Sequence, residues 1–324
     1  RADMAGPGWA RLLRPVAARL LQAALVAVLV GVAGFALMHA LPGDQAFRLA
    51  AERYGPDMVD AASAAALRAE LGLDRPLAAQ LAEWLWRVAR LDLGRSLVSG
   101  DPVAEELAVQ LGHSLLLAAA ALPLSALIGP PLGLVAGARA GGALDRLALS
   151  AWAVLRAVPA YALGLGLVLL FSIELGWLPP GGFEGWAELV LPALTLALGL
   201  AALSGPVARD AAAAVAAAPY TAFARWKGLP ERAVVLRHGV RNAAIPVVAL
   251  LGLQLVGLVE GVVVVESLFG WPGVGHALVH AVFARDVPVV QGAALAMGLL
   301  FVAANAAADV ACAVLDPRRG RLES

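Results

Sequence analysis

Six times the sequence runs apolar for about 20 residues or more, at 20–41, 113–138, 147–175, 189–207, 247–269 and 289–315. That is the length an α-helix needs to cross the roughly 30 Å hydrocarbon core of a bilayer. Lipid offers no partner for backbone N–H and C=O groups, so runs this long read as helices that satisfy their own backbone. Composition points the same way: 61% of the 324 residues are hydrophobic and 15% are charged. A soluble domain holds about half apolar and about a quarter charged residues. Pro123, Pro130 and Pro131 interrupt the second run, which is tolerated where neighbouring helices re-satisfy the freed carbonyls. The first run is too long for the apolar part of a secretory signal and ends in His39-Ala40-Leu41-Pro42-Gly43-Asp44, a poor cleavage site. It is read as the first membrane helix. The formal net charge is zero, so no global field argues for nucleic acid. A single cysteine, Cys312, allows neither an intrachain disulfide nor a cysteine-based metal site.

Six spans place both termini on one side, and the basic residues say which. The arm 1–19 carries Arg1, Arg11, Arg14 and Arg19 against Asp3. The loop after the second run has Arg139 and Arg146 against Asp145, and the tail 316–324 has Arg318, Arg319 and Arg321 against Asp316 and Glu323. The segment 208–246 holds six basic residues against Asp210 and Glu231. On the opposite side, residues 43–110 carry seven arginines against eleven acids, and the loop near 174–188 has three glutamates and no base. The expectation is an all-α integral membrane protein with six transmembrane helices and cytoplasmic termini. A large extracytoplasmic segment, 42–112, lies between helices 1 and 2.

The segment 208–246 also contains the only lysine, Lys227. Pro219 suits a first helical position, and Tyr220, Phe223, Ala224 and Lys227 follow at i, i+3, i+4 and i+7, on one helix face. Gly228 ends that helix and Pro230 restarts the chain, with a second stripe at Leu236, Val240, Ala244 and Val247. Spacing alone leaves two readings. One is a positive loop lying on anionic headgroups. The other is a helix seated in a groove of a cytoplasmic partner.

The stretch PYTAFARWKGLPERAVVLRHGVRNAAIPVV (219–248) resembles the coupling loop of binding-protein-dependent ABC importer permeases, of the oligopeptide/dipeptide/nickel class. Successive blocks of that family are matched in order by HALPGDQA (39–46), LGLDRP (71–76), LDLGRSLVSGDPV (91–103), LVLPALTLALG (189–199), GVVVVESLFGWPGVG (261–275), RDVPVVQG (285–292) and LDPRRG (315–320). Two positions depart from the pattern. Pro219 stands where an acidic residue usually precedes the tyrosine, and Trp226 replaces a small residue. The resemblance implies a type I ABC importer permease fold in a bacterial inner membrane. It implies that Tyr220, Ala224, Lys227, Gly228 and Leu229 contact a cytoplasmic ATPase. It also implies two such ATPases holding ATP and Mg, a second permease chain giving a heterodimer, and an extracytoplasmic substrate-binding protein. Peptides, glutathione-like compounds and nickel complexes remain open as cargo. A P-loop needs Gly-Lys-Ser/Thr, whereas the one lysine precedes Gly228 and Leu229. This chain is therefore not expected to be an enzyme or to bind a cofactor.

Ionisable groups at membrane depth are costly and mark functional candidates. Glu260 and Glu266 lie in and at the end of the fifth run, and Asn305 and Asp309 one turn apart in the sixth. Glu260, Glu266 and Asp309 are candidates for lining the pathway or its gate; hydrogen bonding between helices is the competing role. Gln254 lies six residues before Glu260. His276 and His280 share a helix face, but two histidines without a third ligand make a weak metal signal, so no metal site is assigned. The alternative to an importer subunit is a secondary transporter or channel. That class is marked by internal inverted repeats, and no clear repeat is present.

Overall fold

A computed structural model of the protein describes residues 8–40, 43–55, 59–70, 74–90, 92–228, 230, 247, 250, 254, 258 and 261–315. The described residues are helices and their connections; no strand occurs among them, only an isolated bridge between Arg95 and Pro102. By length and composition three helical stretches can cross a membrane: Val103–Ala138, Ala187–Ala217 and Val287–Ala308. Two bent helix pairs, counted as one span each, raise the number among the described residues to five. The first apolar run lies in α1, Gly8–Ala40, whose described apolar part is Leu21–Ala36. Of the fifth run only four isolated positions and Gly261–Phe269 are described.

Several helices differ from the runs that announce them. The run 113–138 sits inside a longer helix, α5, Val103–Ala138. Glu105 and Glu106 in its first turn complement the positive end of the helix dipole, so the polar start continues the helix. The run 147–175 is not one straight span. It divides into α6, Ala143–Ala157, and α7, Ala160–Leu167, followed by a wide π-type turn, Val168–Glu174, with a bend of 108° between the two halves. Pro159 is the cause: a residue before proline is pushed to extended backbone, and Val158 sits at ψ 123°. The run 189–207 belongs to α8, Ala187–Ala217, which continues through the alanine-rich stretch after Asp210. Alanine has the best helix propensity.

The chain forms two compact units, Arg1–His113 with Gly273–Ala303, and Ser114–Pro272 with Ala304–Ser324. In the first, α2, Gln45–Tyr54, and α3, Ala61–Glu70, close a small core of Leu49, Ala50 and Leu67. Asp44 caps α2, accepting from the Ala46 N–H at 2.9 Å. A second core gathers Phe35, Val103, Leu107, Val287, Val290 and Ala293.

In the second unit α5 lies directly on α8. A Cβ on Gly133 would stand 2.2 Å from the Gly205 carbonyl oxygen, one on Gly137 2.2 Å from that of Arg209, and one on Gly129 2.8 Å from that of Ala201. Only glycine lets the two backbones come this close, the packing that membrane helices use when lipid removes the hydrophobic drive between them. Trp152 of α6 covers Gly205 from the other side, where a Cβ would stand 2.4 Å from its indole.

Candidate functional site

The helix after α8 is formed as its residues suggest. Ala218 turns to ψ 142° and ends α8; Pro219 then opens α9, Pro219–Trp226. Thr221 is buried and its hydroxyl donates to the Val215 carbonyl at 2.7 Å, fastening α9 to the end of α8. Ala224, 5% exposed, lies on the same protected side. Tyr220, Phe223 and Trp226 are exposed, Trp226 at 85%. The Lys227 ammonium stands over the Phe223 ring, 4.6 Å from its centre, a contact of about 0.5–1 kcal/mol at an exposed site. Gly228 has φ +77° with open space around its Cα. The left-handed conformation, not crowding, is what calls for glycine there. The outcome is a short helix with an aromatic and basic outer face and a left-handed turn at its end, the elbow at Gly228. Tyr220, Lys227 and Gly228 are brought together on the outside, and Ala224 behind them. Leu229 and the second half of the loop, with Arg237 and Arg241, lie outside the described residues.

Glu266 ends up inside the protein. It is 0% exposed and accepts a hydrogen bond from the Ser114 hydroxyl of α5 at 2.6 Å. Its carbonyl accepts from the Trp271 N–H at 2.9 Å, across a turn in which Gly270 has φ +64°. Trp271 is 1% exposed and meets Phe183 edge-on at 4.8 Å. The Gly182 N–H donates to the Phe269 carbonyl at 2.8 Å, and Gly181 passes so close to that carbonyl that a Cβ would reach within 2.2 Å. The carboxylate thus ties the helix Gly261–Phe269 to α5, and the backbone carbonyl of the same residue closes a turn that is stitched to the loop after α7. Gln254, also buried, donates to the Leu200 carbonyl of α8 at 2.7 Å. Glu260 and the side chain of Asp309 lie outside the described residues; Asn305 is half-buried in the last helix, Val287–Leu315. The His276 and His280 rings meet edge-on at 4.4 Å. Among the described residues no third His, Cys, Asp or Glu joins them in a metal-binding group.

Two arrangements had no warning in the sequence. In the first unit, buried Asp286 accepts from the Ser96 hydroxyl and from the Val98 N–H at 3.3 Å. Beside it, buried Arg285 takes φ +57° and donates to the Gly43 carbonyl at 2.8 Å. A non-glycine residue in that region is uncommon, and no glycine marks the turn. In the second unit Arg209 of α8 holds Asp145 of α6 in a two-pronged bridge, 2.8 and 2.7 Å. The partners are 64 residues apart, so neither helix pattern could reveal them.

Comparison with known proteins places these features in a family. Residues 129–321 match the family described as "Binding-protein-dependent transport system inner membrane component", and residues 12–111 its N-terminal companion family. The glutathione transport system permease protein GsiC of Salmonella typhimurium is 39% identical over 306 residues, covering 94% of this chain and 98% of that protein. The GsiC protein of Pectobacterium atrosepticum is 39% identical over 299 residues, covering 92% and 96%. That of Escherichia coli O6:H1 is 39% identical over 306 residues, covering 94% and 98%. The chain thus belongs to the binding-protein-dependent transport system inner membrane components, the integral membrane permease subunits of ABC importers.

Proposed function

We propose that this permease forms half of a translocation pathway for a peptide-like solute of the glutathione kind, driven through its α9 elbow by separate ATPase subunits. The exposed aromatic and basic face of α9, ending at left-handed Gly228, is the observation that carries the reading. The relatives named as glutathione permeases over nearly the whole chain support the solute class; nothing comparable supports nickel. In this reading the chain has six spans, with both termini and the segment 208–246 in the cytoplasm and 42–112 outside. Tyr220, Lys227, Gly228 and Leu229 seat in a cleft of one ATPase, and Ala224 backs them. A second permease completes the pathway, and an extracytoplasmic binding protein delivers the solute. ATP and Mg reside on the ATPases. Their closure draws the two elbows together and opens the pathway outward; hydrolysis resets it. Glu266 holds the shape of the outer turn, and Glu260 and Asp309 are left as candidates for the pathway wall.

Gly228→Asp tests the reading. An aspartate would strain the left-handed turn and set a carboxylate beside Lys227. The variant should still insert in the membrane but fail to recruit the ATPase and to take up labelled glutathione in proteoliposomes. Normal recruitment and uptake would overturn the docking role.

A further inference from the structure

We infer that the Asp145–Arg209 bridge is the strut that carries motion from the α9 elbow into the broken span α6–α7, bypassing a weak point in α8. The inference rests on the coupling role proposed above.

Helix α8 contains Pro206 between its membrane part and the stretch that bears α9. Proline cannot donate the N–H that would bond one turn back, so a helix is weakened there. Force entering at α9 travels back along α8 and meets Arg209 before it meets Pro206. At Arg209 it finds a lateral connection. The guanidinium grips both oxygens of Asp145, Nε at 2.8 Å and one terminal nitrogen at 2.7 Å. A planar fork on a carboxylate fixes direction as well as distance, which a single contact does not. Asp145 is 1% exposed and sits in the first turn of α6. It also accepts from the Gly141 N–H at 2.7 Å, so the loop joining α5 to α6 is gripped by the same carboxylate. The other terminal nitrogen of Arg209 reaches Asp210 at 2.9 Å, steadying the guanidinium from its own helix. On the elbow's side of Pro206, Gly137 of α5 lies against the Arg209 carbonyl. The bridge therefore joins α8 to the start of α6 and to the loop that follows α5, on the elbow's side of the weak point. α6 is the member that leads through the bend at Pro159 into α7.

An ion pair that merely stabilised the fold would predict a different experiment. The test uses the full complex with its ATPases, in a Cys312→Ala background carrying Tyr161→Cys, an exposed position on α7. Labelling of that cysteine by a maleimide is compared with and without trapping by ATP and vanadate. With the bridge intact, trapping should change the labelling rate several-fold. Arg209→Lys keeps the charge but loses the fork, and Asp145→Asn keeps the shape but loses the charge. Both should assemble, recruit the ATPase and hydrolyse ATP while losing most of the nucleotide response; the exchange Asp145→Arg with Arg209→Asp should restore part of it. A full response in the single variants would overturn the proposal, as would no response with the bridge intact. Failure of Arg209→Lys to assemble would equally overturn it, by assigning the pair to folding. Gly228→Asp fails one step earlier, at recruitment, so the two proposals fall separately.

Discussion

The polar segment of α2, α3 and α4, Leu77–Ala89, differs from the bundle of α5, α6 and α8 in where its ion pairs lie and in how closely its helices approach. In the polar segment the ionic contacts lie in the open. Arg53 meets Glu70 at 3.3 Å, Arg68 meets Asp44, and Glu83 stands between Arg75 and Arg87. Solvent screens such pairs and they contribute little. The α2–α3 part is held instead by a few buried apolar side chains, Leu49, Ala50 and Leu67. The bundle has apolar clusters of its own, around Leu117, Leu191 and Leu200 and around Trp152, and adds backbone-on-backbone contact made possible by missing side chains at Gly129, Gly133 and Gly137. Its ion pair with a buried carboxylate, Asp145–Arg209, faces inward. Water drives leucines together; lipid does not, and there close fit between helices must serve.

The largest effect that would break this contrast is expected at Gly133. Leucine there meets the Gly205 carbonyl, a backbone oxygen that no rotamer change can move aside. Overpacking of a core that can shift costs about 1–3 kcal/mol; here the obstacle is backbone and two long helices would have to separate, so the bundle itself is expected to be lost. Gly133→Leu should lose monodisperse protein in detergent gel filtration, whereas Gly166→Leu, at a position with open space, should not. Equal behaviour of the two would mean that close approach does not hold the bundle.

A smaller and more local effect is expected in the polar segment. Leu67 is 1% exposed and fills the α2–α3 core. Leu67→Ala should cost about 2–5 kcal/mol, with faster amide exchange confined to α2 and α3. Exchange that rises equally in α5 and α8 would show that the two regions are not held independently.

Much of this contrast was open to sequence reasoning, and the reason is periodicity. Long apolar runs announced α5, α8 and the last helix because a membrane span leaves a continuous record in one stretch of chain. The break at Val158-Pro159 was present in the residues, yet an apolar run does not state its own direction, so 147–175 read as one span. The elbow was legible at Pro219 and Gly228 because both act locally, one by fixing φ and the other by permitting φ +77°. Ala224 shared a helix stripe with Lys227 but lies on the protected side, because Thr221 fastens that side to α8. Glu266 showed itself as costly, not as the acceptor of Ser114, 152 residues away. Asp145 with Arg209 and Asp286 with Ser96 were invisible for the same reason: a charge pattern gives the sign of a residue and not its distant partner.

The smallest expected effect concerns pH and probes the exposed side of the contrast. One oxygen of Asp44 accepts from the Ala46 N–H and the other from Arg68 of α3. The Arg68 hydrogen bond, followed by the backbone bonds of the cap, holds the Asp44 carboxyl below its ordinary value of 3.8. A carboxylate lowered by folding contributes its stability above the unfolded value, and that contribution is lost as pH falls through the lowered folded value. Neutral pH and pH 5 should therefore give the same protection of α2 and α3 amides, with a loss only below about 3.8. Arg68→Ala removes the largest cause, so its acid-side loss should be shallower than that of the parent protein. An unchanged acid profile in Arg68→Ala would mean that the cap alone sets the carboxyl. The bridge between α2 and α3 would then be a surface contact without energetic weight, and the small apolar core would carry that corner of the molecule alone.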